Sequence, residues 1–178
     1  MDFDEYLKKV KDEFGESSKE YIIASLYKLS GFRDDLILKV VSTKPKEDKE
    51  NYVVIPSDKK KNITIELNAY KTSGKYGQDI IAVPRELSKL IRQYMDSHSI
   101  LYQDYLFGSK PLSGFITKFN KKMGLNISIN KLRQMRVSNV LNNNPSVEQR
   151  VKLSKEMKHK ALTSEKYQRK TKSKVIIV

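Results

Sequence analysis

Apolar residues recur at helical spacing from the start of the chain. Phe3, Tyr6, Leu7, Val10 and Phe14 share one face, which predicts an amphipathic helix over residues 3–14 that stops at Gly15. Ser17 or Ser18 is placed to cap a second helix running to about Leu29, with Ile22, Ile23, Leu26 and Leu29 as its buried stripe, and Gly31 breaks that pattern. Four short runs rich in branched apolar residues follow, at 36–41, 52–55, 63–67 and 79–83. They are separated by polar stretches at 44–51 and 57–61 and by the turn Thr72-Ser73-Gly74, which predicts a small antiparallel sheet. A helix is expected from Pro84, with Leu87, Leu90, Ile91 and Tyr94 on one face. Beyond Leu106-Phe107-Gly108 the pattern is helical, over 113–123, 129–141, 146–158 and 163–170, with Asn142-Asn143-Asn144-Pro145 between the second and third. The last four residues, 175–178, are branched and apolar, and are expected to pack as a strand or plug rather than remain in water. These elements give an α+β class, mainly helical with a small antiparallel sheet, in a single domain over 1–178 without internal repeats.

Charge changes the picture. The net charge is +14, with 35 Lys and Arg against 21 Asp and Glu, and it is unevenly placed. From Lys121 onward there are 15 basic residues and three acids, Glu148, Glu156 and Glu165, a balance of +12. The first 120 residues carry the remaining +2. A polyanion therefore meets the C-terminal third first, and nucleic acid is the expected partner; a merely solvated basic face is the plainer reading.

Several chemistries fall away. The chain has no cysteine and two histidines, His98 and His159, so thiolate sites and histidine-rich metal sites are not expected. Gly74-Lys75-Tyr76 lacks the spacing of a phosphate-binding loop. No carboxylate pair stands out, and acids are scarce in the basic third, which weighs against a metal-dependent nuclease. No apolar run approaches the roughly 18 residues that span a membrane, and the acidic, mixed start is unlike a signal peptide. No cofactor and no metal are expected.

The chemistry that remains lies in Asn130-Lys131-Leu132-Arg133, Met157-Lys158-His159 and Tyr167 with Arg169. Arg133 precedes His159 by 26 residues, and Tyr167 follows His159 by eight. In order and spacing these words resemble the tyrosine recombinase (phage integrase) family, in which a His-x-Leu-Arg box, a Gly-His pair and a nucleophilic Tyr succeed one another. Gly31-Phe32-Arg33-Asp34-Asp35-Leu36 resembles that family's first arginine box, and Lys71-Thr72 matches its hairpin lysine, with Lys75 in reserve. The resemblance covers nearly the whole chain. It implies a catalytic set of Arg33, Lys71, Asn130, Arg133, His159 and Tyr167. Three departures accompany it: Asn130 stands where the family has His, Lys158 where it has Gly, and the N-terminal clamp domain is absent, with only 1–29 before the first box.

The residue types suit metal-free phosphoryl transfer. A phenol ionises near pH 10, so forming the phenolate at pH 7 costs roughly 4 kcal/mol. Two guanidiniums, Arg33 and Arg133, offer paired donors to phosphoryl oxygens, and Lys71 can protonate the leaving 5′ oxygen. The resemblance implies cleavage and rejoining of double-stranded DNA through a 3′-phosphotyrosine in recombination or integration, by protomers that self-associate on DNA, with DNA inside the cell, in the cytoplasm or nucleoid or in a host nucleus. Lys75, Lys131, Arg136, Lys152, Lys155, Lys158, Lys160 and Arg169 are expected to contact phosphates. The rivals are type IB topoisomerase-like relaxation and a non-catalytic DNA-binding module of the same fold. Taken singly, Arg33 reads as an ion-pair partner of Asp34 or Asp35, Lys71 as a solvated turn lysine, Arg133 as a solvated or phosphate-clamping residue, His159 as a polar surface residue and Tyr167 as a packing aromatic.

Overall fold

Local capping chemistry sets the first two helices. The computed structural model describes residues 1–46, 49–69 and 78–157. Helix α1 (Phe3–Phe14) starts where the Asp2 carboxylate accepts the Glu5 N–H at 2.8 Å, and ends at Gly15, whose φ of 92° favours glycine. Helix α2 (Lys19–Leu29) is capped by Ser18, whose Oγ accepts the Tyr21 N–H at 3.0 Å. Phe3, Tyr6 and Val10 of α1 and Ile22, Ile23 and Leu26 of α2 are fully buried, so the two predicted stripes face each other across the core.

Four strands follow: β1 (Leu38–Val41), β2 (Asn51–Val54), β3 (Thr64–Leu67) and β4 (Asp79–Ala82), in that order across one sheet. β2–β3 and β3–β4 are antiparallel as expected, but β1 and β2 run parallel, with Leu38 opposite Asn51 and Val41 opposite Val54. The sheet is therefore mixed. Short polar linkers suggest hairpins. The linker here is nevertheless long enough to return along a four-residue strand of about 13 Å, because an extended chain covers roughly 3.3 Å per residue. The free edge of β1 is covered by the segment at 103–106: the Val40 N–H donates to Asp104 O at 2.8 Å, and the Leu106 N–H donates to Leu38 O at 2.9 Å. Pairing of this segment with β1 is not visible in the apolar pattern.

Helix α3 (Arg85–Ser97) begins after Pro84 and buries Leu87, Ile91 and Tyr94. Helices α4 (Ser113–Lys122), α5 (Ile129–Leu141) and α6 (Val147–Met157) complete the described chain, with α5 at its expected bounds. The expected helix at 163–170 and the tail at 175–178 lie outside the described residues. The class is α+β, as the pattern predicts: six helices and a small sheet among the described residues. No described helix is long and apolar enough to cross a membrane.

One large apolar core joins α1 to α5 and the sheet. A second, small cluster of Val137, Leu141, Leu153 and Met157 attaches α6 to α5. Burying such a side chain is worth roughly 1.5–3 kcal/mol, so four hold α6 in place without specifying its rotation. Closer to the loop after α2, Gly31 lies so near Met157 that a Cβ there would overlap the Met157 sulfur.

Inside the main core, Asn120 is fully buried and makes three hydrogen bonds. Its Oδ1 accepts the Tyr6 hydroxyl at 2.9 Å, and its Nδ2 donates to Ile116 O at 2.9 Å and Ile127 O at 3.2 Å. Burial raises the Tyr6 phenol well above its ordinary range, against the smaller lowering effect of the Asn120 bond, so it remains a neutral donor. Asn120→Ala strands the Tyr6 hydroxyl and is expected to cost about 1–3 kcal/mol, read as a lowered urea midpoint at unchanged slope. Gly31→Ala is expected to cost less, about 1 kcal/mol, because the flexible Met157 thioether yields before backbone does. A larger loss for Gly31→Ala than for Asn120→Ala would contradict this ordering.

Candidate active site

The loop between α2 and β1 places Arg33, and three contacts hold its backbone. The Tyr27 hydroxyl donates to Arg33 O at 2.6 Å, the Arg33 N–H donates to Asp35 Oδ2 at 2.8 Å, and buried Phe32 packs edge-on against Tyr27 with ring centres 5.9 Å apart. Asp34 also serves the main chain, accepting the Leu112 N–H at 3.1 Å. Thus both acids beside Arg33 order the loop through main-chain N–H groups. Burial, followed by the nearby carboxylates of Asp35 and Asp34, drives the Tyr27 phenol far above its ordinary range, with Arg133 opposing. Tyr27 therefore stays protonated and acts as a tether for Arg33.

Arg133 lies on α5 and is only 6% exposed. Its Nη1 donates to Gly31 O, and its Nη2 donates to Met157 O at 2.8 Å. Arg33 Nη2 reaches the same Met157 oxygen at 3.5 Å. Two guanidiniums from segments 100 residues apart in sequence thus converge on one carbonyl, whose two lone pairs can serve both. Their Nη2 atoms are no more than about 6 Å apart, where two unit charges repel by roughly 3 kcal/mol at an effective dielectric of 20. Among the described residues, the buried Arg33 Nε has no hydrogen-bond partner. Guanidiniums placed in this way can both offer donors to one acceptor between them.

The other expected site residues divide by position. Asn130 is exposed in the first turn of α5, one turn before Arg133; Ser128 caps that helix, its Oγ accepting the Lys131 N–H at 3.4 Å. Lys131 is half-buried. Lys152 and Lys155 are exposed on α6, three residues apart. They line a groove of about 710 Å³ between α5, α6 and β4. Arg136 reaches that groove too, but its guanidinium is engaged in a two-point ion pair with Glu156. Lys71, Lys75, Lys158, His159, Lys160, Tyr167 and Arg169 lie outside the described residues. Among the described residues, no group of three or more His, Cys, Asp or Glu side chains could hold a metal ion.

Three supporting residues escaped the sequence reading. Tyr27 was indistinguishable from other tyrosines on a helix face. Glu156 was legible only as an acid in a basic stretch. Asn51, 6% exposed at the start of β2, makes four hydrogen bonds. Its Nδ2 donates to Asp35 O at 3.1 Å and Ala69 O at 2.9 Å, and its Oδ1 accepts the N–H groups of Asn68 and Ala69 at 2.8 Å each. It ties the Arg33 loop to the end of β3, two residues before Lys71 in sequence. A polar residue opening an apolar strand run was the available signal.

No family model and no curated protein matches the sequence. Among solved structures, the crystal structure of XerA recombinase is similar, with a TM-score of 0.62 and 18% identity. The similarity covers 93% of this chain and 57% of that one, so the chain spans little more than half of the recombinase's length. At that identity the likeness is one of architecture, and it extends across nearly all of this chain: the protein has a tyrosine-recombinase-like α+β fold.

Proposed function

We propose that this protein binds duplex DNA and cuts and rejoins one strand at a time through Tyr167, in recombination or integration of a mobile or viral element. The observation that carries the reading is the convergence of Arg33 and Arg133 on one acceptor, the Met157 carbonyl. A scissile phosphate offers the same guanidiniums stronger, charged acceptors.

In this reading the Tyr167 oxygen attacks phosphorus, the bond from phosphorus to the 5′ oxygen breaks, and a 3′-phosphotyrosine forms. Lys71 gives the departing oxygen its proton. Arg33 and Arg133 carry the charge that builds on the phosphoryl oxygens, so no metal is required. Asn130 can donate to phosphate but cannot take and return a proton near neutrality, which leaves His159 as the group to relay the phenolic proton. The phosphodiester energy is kept in the tyrosyl linkage, so rejoining is the reverse of cleavage. Lys131, Lys152 and Lys155, with Lys75, Lys158, Lys160 and Arg169, contact flanking phosphates. Arg136 contributes to the same basic surface from within its ion pair. Protomers self-associate on the DNA, with residues 175–178 docking on a neighbour.

Mixing the protein with nicked duplex in EDTA and quenching with detergent is expected to give a covalent adduct that Tyr167→Phe abolishes. Arg133→Lys keeps one charge but loses the fork, and is expected to slow adduct formation roughly 10²-fold. Tight DNA binding without any adduct, unchanged by Tyr167→Phe, would instead identify a binding module. Relaxation of any supercoiled plasmid regardless of sequence would identify topoisomerase-like activity. Asn130→His is expected to raise the adduct rate roughly tenfold and to add an inflection near pH 6.5. An unchanged rate and pH profile would show that position 130 does not meet the reacting phosphate. DNA affinity is expected to fall with salt, losing roughly 0.9 in slope for each phosphate-contacting lysine removed, measured on Lys152→Ala and Lys155→Ala.

A further inference from the structure

Two polar cross-links join α5 to α6 near the arginine pair. One is the bond from Arg133 to the Met157 carbonyl at 2.8 Å. The other is the ion pair in which Arg136 Nε and Nη2 meet Glu156 Oε2 and Oε1 at 3.1 and 3.0 Å. Arg136 stands three residues after Arg133, and Glu156 immediately precedes Met157, so the second link runs beside the first, one turn along α5. Its side chains are 19% and 14% exposed, and its fork geometry sets it apart from a single-contact surface pair.

The described apolar packing of α6 on α5 is the cluster of Val137, Leu141, Leu153 and Met157, with Val140 against it. Apolar burial is non-directional, and it tolerates small rotations and slides of one helix on another. A two-point ion pair resists both. We propose that Arg136 and Glu156 form a positioning clamp: they fix the last turn of α6 on α5 so that the Met157 carbonyl sits between Arg33 and Arg133 and sets the spacing of the two guanidiniums. Neither member touches the phosphate in this role. The proposal rests on reading Arg33 and Arg133 as the phosphate-binding pair, and its geometric content stands apart from catalysis. His159 follows Met157 by two residues, so the same clamp fixes the point from which the chain departs toward it.

The test uses the full chain with Arg136→Ala, Glu156→Ala and the charge-reversed double variant Arg136→Glu/Glu156→Arg. Leu153→Ala, which loosens the apolar cluster without touching the pair, serves as a stability control. The first readout is hydrogen exchange of the Arg133 side-chain N–H groups by NMR, with the thermal midpoint recorded beside it. Each single variant is expected to speed exchange about tenfold or more, and the reversed pair to restore protection. Unchanged protection in the singles overturns the clamp. So does equal acceleration in Leu153→Ala at a matched midpoint, because the pair would then contribute stability alone.

The second readout is the rate of covalent adduct formation against DNA affinity. At saturating DNA, where any change in affinity drops out, the singles are expected to slow the adduct roughly tenfold to a hundredfold, with recovery in the reversed pair. Adduct rates that do not move in the singles overturn the clamp's bearing on the site. If the wild-type protein forms no adduct but the exchange pattern appears as expected, the clamp stands and the covalent reading falls.

Discussion

A buried arginine must have its donors satisfied, and that requirement at Arg133, 6% exposed, joins the loop after α2 to the end of α6. Two of its donors go to Gly31 O from the loop after α2 and to Met157 O from the end of α6. Those two segments have no reason in secondary structure to meet; the buried cation gives them one. Removing it would take the guanidinium donor from Gly31 O, leave Met157 O with only the longer Arg33 contact, and open space between three segments. For that reason the conservative Arg133→Lys exchange is the cleaner probe of chemistry.

Arg33 is held by a different kind of constraint. Its side chain reaches Met157 O at 3.5 Å, a weak contact, whereas its backbone is bound by Tyr27 and Asp35, and the loop is tied to the sheet through Asn51. One arginine is thus fixed at its head and the other at its root. In the proposed function, such a pair would close on a phosphate by a small side-chain movement of Arg33 while Arg133 stays still. Precision then depends on how firmly α6 presents the shared carbonyl. The Arg136–Glu156 pair, rather than the apolar cluster, has the directionality to do this.

Much of this architecture was legible beforehand, and the reasons are local. Ser18 announces a helix start because a hydroxyl before an apolar-periodic run satisfies an orphan N–H. The strands are visible because branched residues cluster between polar breaks. The parallel β1–β2 pair was not visible, since strand direction depends on the path of the connection, which leaves no periodic trace. The two arginines could be singled out only by their spacing to His159 and Tyr167 and by family resemblance. Taken one at a time, each looked like a surface charge. Tyr27, Asn51 and Glu156 act through tertiary bonds to residues 6 to 20 or more positions away, so no local pattern marks them.

The chemistry of the partners separates the two classes of arginine here. Arg136 is held by a carboxylate, which cancels most of its charge within the pair. Arg33 and Arg133 share a main-chain carbonyl, a neutral acceptor that meets one donor of each. Asp34 and Asp35, adjacent in sequence to Arg33, turn oxygens to the N–H groups of Leu112 and Arg33 itself. A structure that only needed rigidity could have used carboxylates at every position. In the proposed function, a phosphate would meet guanidiniums that are already oriented and that share a neutral acceptor weaker than itself.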